Sequence, residues 1–372
     1  MIQDINLDGD NFMEYYIYIT NECNLNCSYC SVILHRDTTK IPLSIQYPIE
    51  KLRAFIDSVQ KYNKSKEAVI YFFGGEPSMD WGSIQRIIDG FECVKAYEVS
   101  FILHTNGLLL GNIPDKILNK ISTIILSLNY EKIYNNGCIS DYFYGIAQSI
   151  KQVKQKKDIF IIGRLTITNT TSLYTACTLT GNFFDYVYWQ IDNQEIVENI
   201  ENYKVQYKKE ISLLFEYWLS FLKQDTILYY IPFLGIIRNI IDEKQFGGNY
   251  YCGYGSYSIF VQTDGICYAC CEAVEEGQHK IGNIDGGIKF ADMKPDNAKC
   301  LKCPYLKICG GRCGRMHKDF KTDRINDFCE LNIFTIKMIE NNLPEIKKLL
   351  KNNPYFFEAI FDYHLDYTEL MP

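Results

Sequence analysis

A chain of 372 residues with 47% hydrophobic and 22% charged content is long enough for two or three cored domains and ordinary in composition. Its 38 Lys and Arg against 45 Asp and Glu give a net charge of −7 with no basic cluster, which argues against DNA or RNA as the main partner. Met1–Asn11 is polar and acidic, unlike a signal peptide, and the longest strongly apolar stretch, Ile227–Ile237, is too short to span a bilayer; a cytoplasmic protein with no membrane partner is expected.

The first half alternates two kinds of pattern. Apolar or alternating runs predict strands at about 14–20, 68–73, 98–104, 122–129, 158–167 and 184–191. Helical periodicity falls between them, at about 46–62, 81–94, 113–120, 140–155 and 171–180. Strand–helix alternation implies a parallel sheet with helical crossovers. Six such units are too few for an eight-fold barrel, whose active sites lie at the C-terminal strand ends.

Those strand ends carry the chemistry. After the first strand comes Cys23-Asn24-Leu25-Asn26-Cys27-Ser28-Tyr29-Cys30. Three thiolates on one loop can ligate three irons of a 4Fe–4S cube and leave the fourth iron open. Zinc would need a fourth close ligand, and a disulfide framework an even count. The second strand runs into Gly74-Gly75-Glu76-Pro77, a tight turn whose glycines permit close backbone approach, or an ordinary strand-to-helix turn. The third ends in His104-Thr105-Asn106-Gly107, where His104 faces substrate or is a satisfied structural histidine. The fourth ends in Ser127-Leu128-Asn129; the fifth holds Arg164, a site contact or a surface ion pair; Gln190 and Asp192 end the sixth.

A bridge over 196–249 is helical around 203–222 and 233–243, punctuated by Pro232 and Gly247-Gly248. Nine of the fifteen cysteines then fall between Cys252 and Cys329. In a reducing compartment such clustering points to metal rather than disulfides. Cys93, Cys138 and Cys177 are scattered and read as small packed thiols.

The loop Cys23–Cys30, with aromatic Tyr29 before its last cysteine, resembles the signature of radical S-adenosylmethionine (SAM) enzymes. That resemblance implies a partial (β/α)6 barrel over residues 1–195, an open iron that binds the methionine moiety, and 5′-deoxyadenosyl radical chemistry. Gly74-Gly75-Glu76-Pro77 resembles the motif that grips the methionine ammonium. By the same likeness Tyr29, Ser127 and Gln190 line the cofactor site, and Arg164 pairs with the SAM carboxylate, a role suited to guanidinium. Asn129 departs from the usual aspartate.

The spacing Cys252-x12-Gly265-x4-Cys270, then Cys300-x2-Cys303-x5-Cys309-x3-Cys313, then Cys329, is similar to the SPASM signature. Two zinc ribbons are the alternative reading of the residues. The resemblance implies a cysteine-rich domain over 250–335, a C-terminal helix and tail over 336–372, and two auxiliary 4Fe–4S clusters. One uses Cys300, Cys303, Cys309 and Cys329. The other uses Cys252, Cys270 and Cys313, completed by Cys267 or Cys271 or left with an open iron; Cys267 is preferred for its two-residue separation from Cys270.

SPASM proteins are mostly maturases of ribosomal peptides. A peptide or protein substrate, an electron donor such as flavodoxin or ferredoxin, and a thioether or carbon–carbon cross-link are therefore expected. In anaerobic sulfatase-maturing enzymes an aspartate base follows the third cysteine of the first auxiliary set. Here Cys271 stands there and Glu272 one further, so formylglycine formation is the alternative, with Glu272 as its base, and a small-molecule dehydrogenase is another.

Overall fold

The computed structural model describes residues 12–32, 40–135, 138–192, 199–242, 250–274, 277–290, 295, 298–319, 322–368 and 371. The expected six strands are present as β1 (Phe12–Thr20), β2 (Glu67–Gly74), β3 (Glu98–Thr105), β4 (Ile121–Leu128), β5 (Phe160–Ile167) and β6 (Tyr186–Ile191). Six further strands were not anticipated: β7 (Ser258–Val261), β8 (Ile266–Tyr268), β9 (Lys280–Asn283), β10 (Gly287–Ile288) and the antiparallel pair Tyr134–Asn135 with Cys138–Ile139. The chain divides into two compact units, one of residues 1–127, 144–161 and 253–294, the other of 128–143, 162–252 and 295–372. The segment 250–335 is thus shared between the units.

In the first unit the strands run β10-β9-β8-β7-β1-β2-β3-β4. The central pairings are parallel, including β1 with β7, where Glu14 lies opposite Ser258 and Ile17 opposite Val261. Helix α1 (Ile49–Asn63) turns Leu52, Phe55, Ile56 and Val59 inward, and α2 (Trp81–Phe91) turns Ile84, Ile87, Ile88 and Phe91. The Asp80 carboxylate caps α2 by accepting from the Ser83 amide at 2.9 Å. Tyr15 donates to Gln60 of α1 at 3.3 Å, so α1 covers the sheet face that carries Tyr15, Ile17 and Ile19. Strand alternation puts Tyr16 and Tyr18 on the other face.

The second unit holds the parallel pair β5–β6 and, among its described residues, the helices α3 (Leu173–Thr180), α4 (Ile200–Leu222), α5 (Ile231–Ile241), α6 (Thr322–Asn341) and α7 (Leu343–Asn352). Trp189, Phe215, Trp218 and Phe233 pack ring against ring with centroids 5.4–5.7 Å apart. Buried Lys204 ties α4 to α6 through Asp327 at 2.6 Å and Glu330 at 3.0 Å. Helix α6 runs through the expected boundary at 335. The Gly247-Gly248 break lies outside the described residues.

None of the fifteen cysteines is in a disulfide. Cys177 is buried as expected, whereas Cys93 and Cys138 are exposed. No helix among the described residues is long and apolar enough to cross a membrane.

Candidate active site

The loop Cys23–Cys30 leaves β1 from a riveted root. The Asn21 amide donates to Leu43 O at 2.8 Å, and its side chain donates to Pro42 O at 2.9 Å and Thr263 Oγ1 at 3.1 Å. Thr20 Oγ1 donates to Leu43 O at 2.8 Å and accepts the Glu22 amide at 3.1 Å. The three thiols stay half-buried. Burial pushes the Cys23 thiol up to about 11, partly offset by the Leu25 amide, which donates to Cys23 Sγ at 3.4 Å.

The glycine turn docks on this loop. Gly75 N donates to Thr20 O and Glu76 N to Glu22 O, each at 2.7 Å. A Cβ at Gly74 would run into the Thr20 carbonyl oxygen, and one at Gly75 into that of Glu22. Gly74 also sits at φ +128°, open only to glycine. The close approach these glycines allow is therefore to the cysteine loop's own backbone.

Glu76 is 1% exposed and latches three segments together. Its Oε1 accepts from Ser78 N at 3.0 Å, from Ser78 Oγ, and from Thr105 Oγ1 at 2.6 Å; its Oε2 accepts from Asn106 N at 2.7 Å. Burial raises its carboxyl above the usual range, and the donors from Ser78 and Thr105 pull it back. Asn106 Nδ2 in turn donates to Asn24 of the cysteine loop at 2.8 Å. Sequence reasoning passed over Asn24, Thr105 and Asn106 as site-building residues; the polar run Thr105-Asn106 at a strand end was the available signal.

On the face away from α1, Tyr16, Phe73, His104 and Ser127 stay half-buried while their neighbours on the covered face are sealed. Tyr16 stacks on Tyr71 at 4.1 Å and on Phe260 at 4.4 Å, and Phe73 meets His104 edge-on at 5.0 Å. His104 Nε2 lies 2.7 Å from Ser127 Oγ, so two residues expected in different roles meet each other.

Tyr18, also unanticipated, is fully buried on that face and donates to Cys271 O at 3.1 Å. Its phenol is pushed up by burial first and then by the neighbouring Cys271, Cys270, Cys30 and Glu272. The Cys270 thiol is raised chiefly by its hydrogen bond with Cys271, which sets the two sulfurs side by side, and the Glu272 amide donates to it. Cys267 is elsewhere. It lies in β8 opposite Val261, fully buried, with its thiol aimed at Gly265 O at 3.8 Å and with Asp264, Lys280, Tyr47 and Tyr15 among its charged or phenolic neighbours. That is the α1 side of the sheet. Cys267, expected as the partner of Cys270, thus lies apart from it, whereas Cys271 is the thiol beside Cys270. Cys267→Ala should accordingly leave the iron content of reconstituted protein unchanged, read by iron assay; loss of about a third of the iron would restore Cys267 as a ligand.

Within the second unit Arg164 Nη2 donates to Gln190 Oε1 across β5–β6. Among the described residues it has no carboxylate within ion-pair distance. Cys300, Cys303, Cys309 and Cys329 form one group: Cys329, Cys300 and Cys303 all act electrostatically on Cys309, and Cys303 N turns back to Cys300 O at 2.9 Å. Of the other expected set, Cys270 belongs to the first unit and Cys252 and Cys313 to the second. Among the described residues no three side chains converge as closely as a single metal ion requires. A cube takes one thiolate per iron and spreads its ligands more widely. Three cysteines on a braced loop and a separate group of four, none of them in a disulfide, thus fit iron–sulfur clusters. Tyr29, next to Cys30, and Glu272, next to Cys271, remain half-buried.

Residues 17–130 match the family model described as the radical SAM superfamily. The chain is 24% identical, over 84% of its length and 70% of the relative's, to the radical SAM cyclopropyl synthase TigE of Paramaledivibacter caminithermalis. It is 30% identical over 38% of its length to the probable GTP 3′,8-cyclase of Methanocaldococcus jannaschii, covering 47% of that protein. Its fold is similar to that of anSMEcpe with bound AdoMet, with a TM-score of 0.73 at 19% identity over 94% of this chain and 98% of the other. Streptococcus suis SuiB is similar at a TM-score of 0.55 and 17% identity, covering 84% and 76% of the two chains.

Proposed function

We propose, from the premise that the chain is a radical SAM enzyme with a SPASM-like cysteine-rich region, that it abstracts hydrogen from a ribosomally made peptide and closes a carbon–carbon or thioether bond with net loss of two hydrogens. The observation that carries this reading is the Glu76 latch, which joins the cysteine loop, the glycine turn and the third-strand loop into one braced site. A cluster on Cys23, Cys27 and Cys30, when bound, supplies the electron that cleaves SAM to methionine and a 5′-deoxyadenosyl radical. The chain's residues place and shield the reactants. Carbonyls of the Gly74–Glu76 turn and the remaining acceptor capacity of Glu76 Oε2 receive the methionine ammonium. His104, held by Ser127, faces the substrate. Tyr16, Tyr18, Phe73 and Phe260 offer an apolar wall that excludes water and favours an aliphatic or aromatic side chain over serine.

The peptide reading is supported by anSMEcpe having been solved with AdoMet and the Cp18Cys peptide, at a TM-score of 0.69, and the carbon–carbon alternative by TigE being a cyclopropyl synthase. Cys271 beside Cys270 stands where formylglycine chemistry wants a carboxylate base. The test is mass spectrometry of the peptide encoded next to this gene after anaerobic turnover with an external one-electron donor. Loss of two hydrogens is expected. Complete alkylation of every peptide cysteine in that product would assign the bond to carbon–carbon. A single Ser or Cys turned into an aldehyde would overturn the reading for the formylglycine alternative, and SAM cleavage with no change in any peptide would return it to a small molecule.

A further inference from the structure

Beside the group Cys300, Cys303, Cys309 and Cys329 stand two cationic or hydrogen-bond-donating side chains that ligate nothing. His317 Nε2 lies 3.9 Å from Cys300 Sγ and 3.1 Å from Gly311 O. Both neighbours are acceptors, so this nitrogen carries the hydrogen and points it at a carbonyl and a sulfur together. Arg312 sits with its guanidinium carbon 4.4 Å from the centre of the Phe328 ring, adjacent in sequence to Cys329. Its charge favours the thiolates of Cys309 and Cys329.

The backbone adds a second observation. Gly310, Gly311 and Arg312 take φ of +65°, +75° and +63° in succession. Glycine occupies that region freely; an arginine there is uncommon and strained. The chain thus holds a side chain at a left-handed position where glycine costs less, one residue before Cys313, with its guanidinium over the Phe328 ring next to Cys329 and its Nη1 donating to Met316 Sδ at 2.6 Å.

We propose that Arg312 and His317 raise the reduction potential of the cluster held by Cys300, Cys303, Cys309 and Cys329, and so make it the electron acceptor of the reaction. Hydrogen bonds to ligand sulfur and nearby positive charge stabilise the reduced, more negative state. The inference rests on the oxidative reading above. After one hydrogen atom leaves the peptide, closing the new bond releases one electron and one proton. The electron goes to this cluster and the proton to solvent.

The experiment is a potentiometric titration, followed by electron paramagnetic resonance, of anaerobically reconstituted full-length protein in a Cys23→Ala, Cys27→Ala, Cys30→Ala background, which leaves the auxiliary signals alone. Arg312→Asn, whose residue tolerates the left-handed backbone, and His317→Phe should each lower one midpoint while iron content holds. The expected size is about a tenfold loss in the equilibrium constant of reduction, or about 59 mV for one electron. Arg312→Lys should recover most of it. If Arg312→Asn loses iron, His317→Phe decides alone. Retained iron with unchanged midpoints overturns the proposal. Cys300→Ala that keeps full iron content also overturns it, by removing the ligand assignment, and leaves the peptide reading standing.

Discussion

Replacing Cys23, Cys27 and Cys30 together by Ala removes about one third of roughly twelve irons per chain and all SAM cleavage. The expectation follows from the loop's position. It springs from the end of β1, its root is pinned through Asn21 and Thr20, and its three cysteines are half-buried and outside any disulfide. The auxiliary thiols do not depend on it, because Cys300, Cys303, Cys309 and Cys329 make their own group in the other unit. Iron assay and chromatography of 5′-deoxyadenosine read the two effects separately. A variant that still forms 5′-deoxyadenosine, or that loses all its iron, would contradict this division of labour.

Glu76→Ala is the single substitution with the largest expected effect. It strands the Ser78, Thr105 and Asn106 donors, all buried, at about 1–3 kcal/mol for each unsatisfied group. A total of roughly 3–5 kcal/mol corresponds to a fall in Tm of about 6–15 °C. SAM affinity should fall at least about tenfold as well, since the turn, the cysteine loop and the third-strand loop lose their common anchor. Glu76→Gln should be intermediate, because its amide can keep Oε1 as an acceptor but turns an N–H toward the Asn106 amide. Calorimetry and equilibrium dialysis of SAM give the two readings. A Glu76→Ala protein that melts within about 2 °C of wild type would show that the latch contributes little.

The parts of the fold that were legible are those with strong period. The six core strands and the helices α1 and α2 follow long apolar runs or amphipathic stripes, and all fall close to their expected bounds. The strands β7–β10 escaped because they are two to four residues long, too short for alternation to register. The boundary expected at 335 falls inside α6, a continuous twenty-residue helix, because cysteine spacing says nothing of where a helix ends. At the site, the cysteine loop and the glycine turn were visible as motifs. The Asn24–Asn106 bond, between residues 82 apart in sequence, was not, because only the parallel sheet brings their strand ends together. Cys267 shows how a spacing misleads. Two residues between thiols suggest a shared ligand site on a loop, yet β8 places Cys267 on the α1 face and leaves Cys271 beside Cys270.

The measurement that bears most directly on hydrogen abstraction from a peptide uses the neighbouring precursor with deuterated side chains. The enzyme is turned over anaerobically with unlabelled SAM, and the 5′-deoxyadenosine is weighed by mass spectrometry. Transfer of one deuterium from peptide to 5′-deoxyadenosine, together with loss of two hydrogen isotopes from the peptide, is the result this account predicts. Unlabelled 5′-deoxyadenosine formed alongside a modified peptide would contradict it.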